Sequence, residues 1–142
     1  MLDSSGSVPW VVCREVAMRD FVIHLSHRPG ELASVTNALS FQGVNIKSLA
    51  AMTLGNEALL RLIPDDVEAA RTALRDANVR FEEKELVTVL LENRAGELTG
   101  VAAKLSDAGL NLEAAYVVGL ADDMIEIAIA VDDVKKAKKL LE

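Results

Sequence analysis

The sequence predicts an α+β fold in which one βαββαβ unit is written twice, and three observations predict it. Arg28-Pro29-Gly30-Glu31-Leu32 returns as Arg94-Ala95-Gly96-Glu97-Leu98. The match runs on ungapped, with Val35, Leu39, Ser40, Gly43 and Asn45 meeting Val101, Leu105, Ser106, Gly109 and Asn111. Further on, Asp65-Asp66-Val67 returns as Asp132-Asp133-Val134, with one residue inserted in between. An offset kept over that length marks a duplicated structural unit.

Each element has a local reason. Phe21-Val22-Ile23-His24-Leu25 is a short β-rich apolar run, the first strand. Pro29 suits the first turn of the following helix, where its missing N–H is not needed. Residues 31–42 read as that helix, with Leu32, Val35 and Leu39 on its core face and Gly43 as its stop. Residues 44–54 and 58–63 read as two strands joined at Gly55-Asn56. Pro64 closes the second of them, and Asp65-Asp66 start another helix with Val67, Ala70, Leu74 and Ala77 inward. Residues 79–83 complete the first unit.

The second unit repeats this order. Residues 86–91 are its first strand, and 97–108 its first helix, with Leu98, Val101 and Leu105 inward. Strands follow at 110–120 and 124–131 around Ala121-Asp122-Asp123, then a helix at 132–141 with Val134, Ala137 and Leu141 inward. A fourth strand is missing, and residues 8–16 are the one spare segment that could supply it. The expected division is an N-terminal extension at 1–17 (its residues 1–7 a loose polar tail), a first repeat at 18–84 and a second at 85–142. The right-handed crossover rule puts both helices of a unit on one face of an antiparallel sheet. Leu110, Leu112, Tyr116 and Val118 then share one side of a strand, and Ile125, Ile127, Ile129 and Val131 alternate along the next. That is more apolar surface than one two-layer unit hides, which predicts packing between copies and a homodimer.

The bulk composition narrows the function. The chain has 142 residues, 51% hydrophobic and 26% charged, which is globular rather than disordered. A net charge of −7 and a pI near 4.9 argue against a nucleic-acid partner, which needs a basic surface. Cys13 is the only cysteine, so neither an internal disulfide nor a thiolate metal cage is expected. No apolar run approaches a membrane span, and residues 1–17 lack the pattern of a signal peptide. The expectation is a cytoplasmic protein with no membrane partner. His24 and His27 have no third ligand nearby, so no metal or other cofactor is expected. Glu82-Glu83 and Asp122-Asp123 read as polar connections, and Lys135, Lys136, Lys138 and Lys139 as a solvated face. With no nucleophile–base set and no Walker or Rossmann loop, an enzyme is not expected.

The repeated motif carries the candidate chemistry. Gly30 and Gly96 leave no Cβ over a helix start, so a ligand or another backbone can come close. Free N–H groups near Glu31-Leu32 and Glu97-Leu98, aided by the helix dipole, favour an anion such as a carboxylate. For a single copy a plain strand-to-helix turn would be the preferred reading, and two copies with matching flanks shift the balance. The amides of Asn45 and Asn111 suit an amino acid's ammonium and carboxylate, or else satisfy backbone at a strand start. His27 could bind a carboxylate or lie exposed. Arg28 and Arg94 fit surface ion pairs better than a carboxylate clamp.

Arg28-Pro29-Gly30-Glu31-Leu32 with Gly43-Val44-Asn45-Ile46 resembles the ACT family of small-molecule-binding regulatory domains. Asn93-Arg94-Ala95-Gly96-Glu97-Leu98 with Gly109-Leu110-Asn111-Leu112 resembles it again, and together the matches span about residues 19–142. The resemblance implies ferredoxin-like repeats that pair side by side into an extended antiparallel sheet with helices on one face. It also implies an amino acid bound at the seam, between the first strand-to-helix loop of one copy and the second strand of its neighbour. Asn93 holds the position of the Asn that precedes Arg-Pro-Gly in serine-binding members, and His27 stands there in the first copy. Asn45 and Asn111 match a second Asn of those members. Leu25 and Leu91 replace their His, a departure that sets serine itself apart. The implied ligand-binding set is His27, Gly30, Glu31, Leu32 and Asn45 in one copy, and Asn93, Gly96, Glu97, Leu98 and Asn111 in the other. The implied function is a non-catalytic regulatory protein that senses an amino acid. An alternative stays open, because Glu92-Asn93 after Leu90-Leu91 resembles the opening of acetolactate synthase small subunits. That would imply a ligand-free regulatory subunit docked on an amino-acid biosynthetic enzyme.

Overall fold

Residues 10–141 are described by the computed structural model, so the expected tail over 1–7 lies outside the described residues. The elements run β1 (Trp10–Ser26), α1 (Glu31–Phe41), β2 (Ile46–Leu54), β3 (Glu57–Pro64) and α2 (Val67–Asp76). Then follow β4 (Phe81–Glu92), α3 (Glu97–Asp107), β5 (Leu112–Ala121), β6 (Met124–Val131) and α4 (Val134–Leu141). The fold is α+β with antiparallel strand pairing.

Two pairs of expected strands turn out to be single strands. The described part of segment 8–16 and segment 21–25 belong to β1, and most of 79–83 joins 86–91 in β4. Neither Arg14–Asp20 nor Lys84-Glu85 contains a Gly or Pro to stop a strand. The chain forms two compact units, one of residues 19–84 and one of residues 85–141 with 10–18. The first has the strand order β2-β3-β1-β4 and the second β5-β6-β4-β1, so the first half of β1 stands where the second repeat lacks a strand.

Within the 19–84 unit, Phe21 pairs with Leu62 and Ile23 with Leu60. These four pack with Val35 and Leu39 of α1 and Ala70 and Leu74 of α2. In the other unit Val87 pairs with Ile129 and Val89 with Ile127, and they pack with Val101, Leu105, Ala137 and Leu141. Ile127, Ile129 and Val131 are therefore core, not the free face that the sequence reading offered for dimerisation. Alternation fixes that one side of a strand is buried but not which side the helices cover. The expected single apolar side of β5 is also broken. Its register with β6 shifts between Leu112 and Ala114 and again between Val117 and Gly119. Each extra residue reverses the facing of those that follow.

The repeated Asp-Asp divides its labour in the same way twice. Asp66 caps α2 by accepting from the Ala69 N–H at 3.0 Å, and Asp133 accepts from the Lys136 N–H at 3.1 Å. The preceding Asp65 and Asp132 accept from the backbone N–H of Asn45 at 3.0 Å and of Asn111 at 3.2 Å.

Two polar expectations change. Glu83 lies inside β4, where Arg71 donates to both carboxylate oxygens at 2.7 and 2.8 Å. Lys136 donates to the Ala108 carbonyl at 2.9 Å and Lys138 to Glu85 at 2.5 Å, so half of the expected lysine face is tied down. Buried polarity distinguishes the units further. Arg61 donates to Asp20 at 2.6 Å with both residues buried, whereas the repeat puts the buried apolar Ala128 and Leu86 at those positions.

Candidate functional site

Both motif loops have the same backbone. Gly30 has φ 91° and ψ −12°, Gly96 has φ 91° and ψ −16°, and each is the N-cap of its helix. A left-handed N-cap is strained for any residue with a Cβ, so conformation alone demands glycine here. A Cβ at either position would meet nothing within 4 Å, so the space above each loop is open. Pro29 precedes the N-cap, outside the first helical turn where it was expected, and stiffens the turn instead.

No side chain caps α1 or α3. Intrahelical bonding begins with the Ser34 N–H to Gly30 at 2.9 Å and the Gly100 N–H to Gly96 at 3.2 Å. Of the N–H groups before these, that of Glu97 donates to the Arg94 carbonyl at 3.4 Å, and the others lie at the open helix start. Leu32 and Leu98, expected in the core, sit in that first turn and are 42% and 46% exposed.

The motif's charges pair with each other. Arg28 donates to Glu31 through Nε, and Arg94 donates to Glu97 at 2.7 Å and lies 2.7 Å from Glu92. Glu97, then Glu92, raise the Arg94 guanidinium above its ordinary value. The Glu97 side chain is only 11% exposed, and its Oε2 is buried with no hydrogen-bond partner among the described residues. Each helix start thus already faces one carboxylate, which offsets its dipole. Such a site suits a zwitterion better than a bare anion.

The tip of the neighbouring hairpin holds each loop. The His27 N–H donates to Asn56 at 3.3 Å, and the Asn93 N–H donates to Asp123 at 2.6 Å. Glu92, Asn93, Arg94, Asp122, Asp123 and Met124 line an open depression of about 590 Å³. The sequence reading missed Asn56 and Asp123 as loop-holding positions. They match at the offset of the repeated Asp-Asp, which could have flagged them.

The structure therefore groups His27, Gly30, Glu31 and Leu32 in one loop, and Asn93, Gly96, Glu97 and Leu98 in the other. Asn45 and Asn111 are elsewhere. Eleven residues of α1 separate Gly30 from Asn45, about 16 Å at 1.5 Å per residue. The Asn111 side chain donates to the Asp132 carboxylate at 3.2 Å, a side-chain pair rather than the backbone bond expected as the alternative. Among the described residues no three His, Cys, Asp or Glu side chains gather as a metal site, and no helix is long and apolar enough to cross a membrane.

By sequence, no family model and no curated protein matches the chain. Several solved structures match its fold. A protein from Bacteroides thetaiotaomicron superposes with a TM-score of 0.79 at 24% identity, over 88% of this chain and 86% of that one. The ligand-free regulatory subunit of aspartate kinase from Thermus thermophilus gives 0.65 at 14%, over 93% of each chain. A putative C-terminal regulatory domain of aspartate kinase from Porphyromonas gingivalis gives 0.56 at 13%, over 95% and 96%. The chain has a tandem ACT-domain fold. In this ACT fold the duplicated glycine loops occupy equivalent first strand-to-helix turns, one in each repeat.

Proposed function

We propose that this chain is a non-catalytic regulatory protein that senses an amino acid at the interface between paired ACT repeats. The observation that carries the reading is the loop built twice: a left-handed glycine N-cap, open space above it and an uncapped helix start. In this reading the ligand carboxylate accepts from first-turn N–H groups at Glu31-Leu32 or Glu97-Leu98. The buried, unpartnered Oε2 of Glu97 accepts from the ammonium. His27 or Asn93 borders the site, and Asn45 or Asn111 reaches it from the paired repeat. The protein is cytoplasmic and forms a homodimer. Exposed Leu49, Met52 and Leu54 on β2, and Leu112, Val117 and Leu120 on β5, offer apolar contact surface for the second copy. Light scattering at micromolar concentration tests the dimer, and a monomer with and without amino acids contradicts it.

A second reading is a ligand-free subunit that docks on an amino-acid biosynthetic enzyme. It is favoured by the engagement of the Asn111 amide with Asp132. Melting in the presence of amino acids separates the two, because a ligand that binds only the native state raises Tm.

A further inference from the structure

We propose that the 19–84 unit carries a separate binding site for a small organic anion with an apolar body. It lies in an open depression of about 900 Å³ whose lining includes no residue of either glycine loop. The floor is apolar, from Val22 of β1 and from Val79 and Phe81 where the chain enters β4. Arg75, Arg80 and His24 stand around it, all three exposed.

The charges there are unusual for this chain. Arg19, Arg71, Arg75 and Arg80 gather here although the net charge of the protein is −7. Two of these arginines are spent on Glu83, which Arg71 binds with two hydrogen bonds and Arg19 approaches to 3.9 Å. The guanidinium groups of Arg75 and Arg80 make no hydrogen bond or close ion pair among the described residues, although the Arg75 charge helps to hold Glu83 ionised. Two guanidinium groups with unused hydrogen-bond donors beside apolar side chains match a carboxylate or phosphate on a hydrophobic body. Glu82 on the same rim, with the acidic balance of the chain, opposes a polyanion. A small ligand fits and a nucleic acid does not.

The test is calorimetric titration of the full chain with phenylpropionate, phenyl phosphate and, as the uncharged control, phenylpropanamide. At least one of the two anions should bind saturably, and the one that binds identifies the head group. The amide should bind at least tenfold more weakly. The double variant Arg75→Gln/Arg80→Gln should lower the anion's affinity by roughly tenfold or more, since charge-assisted hydrogen bonds are lost. Both arginines are exposed, so Tm should hold, and the single variant Arg80→Gln provides a second check with a smaller loss. Saturation by neither anion, equal binding of the amide, or unchanged binding in the double variant would overturn the proposal. None of these outcomes depends on amino-acid binding at the glycine loops.

Discussion

At the scale of single residues, Gly96 and Gly30 are fixed by backbone conformation rather than by crowding. Gly96→Ala should destabilise the protein by about 1–2 kcal/mol, the penalty for a Cβ in the left-handed region. Gly96→Asn should cost less, because Asn tolerates that region. Denaturant unfolding of both variants checks the order. The Asp20–Arg61 pair makes a sharper case. Arg61→Ala alone takes the hydrogen-bonded guanidinium away from the buried Asp20 carboxylate and should lower stability. The double change Asp20→Leu/Arg61→Ala copies the second repeat's Leu86 and Ala128 and should recover most of that loss. A double variant no more stable than Arg61→Ala would contradict this account of the pair. Glu83 sets a pH dependence. Arg71, hydrogen-bonded to it, holds its carboxyl below the usual 4.5. Its contribution is therefore complete above pH about 4.5 and fades as pH falls through the lower folded value. Arg71→Gln should reduce stability at neutral pH and flatten its fall in that acidic window. Much of this scale was legible in the sequence: the glycines by their repetition, and the Arg-to-Glu pairs by their spacing of three. The Asn–Asp contacts were not. They join residues twenty or more apart, and no local pattern marks an Asn whose backbone N–H a distant Asp carboxylate will hold.

At the scale of elements, the doubled Asp-Asp-Val shows how a two-residue signal works. Asp66→Ala and Asp133→Ala should each cost about 1 kcal/mol by removing a cap, measured as a lower Tm. Helix cores at Val35, Leu39, Val101 and Leu105 followed from periodicity, whereas Leu32 and Leu98 did not, since the helices begin one residue before them and their first turn stays exposed. Strand content was readable but strand ends were not. No breaker separates the two halves of β1 or of β4, so each pair of expected strands is one. The β5 bulges were invisible because an apolar run without a turn residue gives no hint of an inserted position.

At the scale of the whole molecule, duplication made the fold readable, and the same duplication makes the proposed function testable. Two loops of one geometry carry different neighbours, His27 against Asn93 and Pro29 against Ala95, so two sites of unequal affinity are expected. If Asn111 reaches the ligand from a paired repeat, Asn111→Ala should weaken binding roughly tenfold to a hundredfold without unfolding the chain. If it serves only Asp132, affinity should not change. The central claim is that an amino acid is the ligand, and a thermal-shift screen of the purified protein against all common amino acids tests it most directly. The account predicts a saturable rise in Tm with at least one of them, reduced in Gly96→Ala. No shift with any amino acid at millimolar concentration would contradict it.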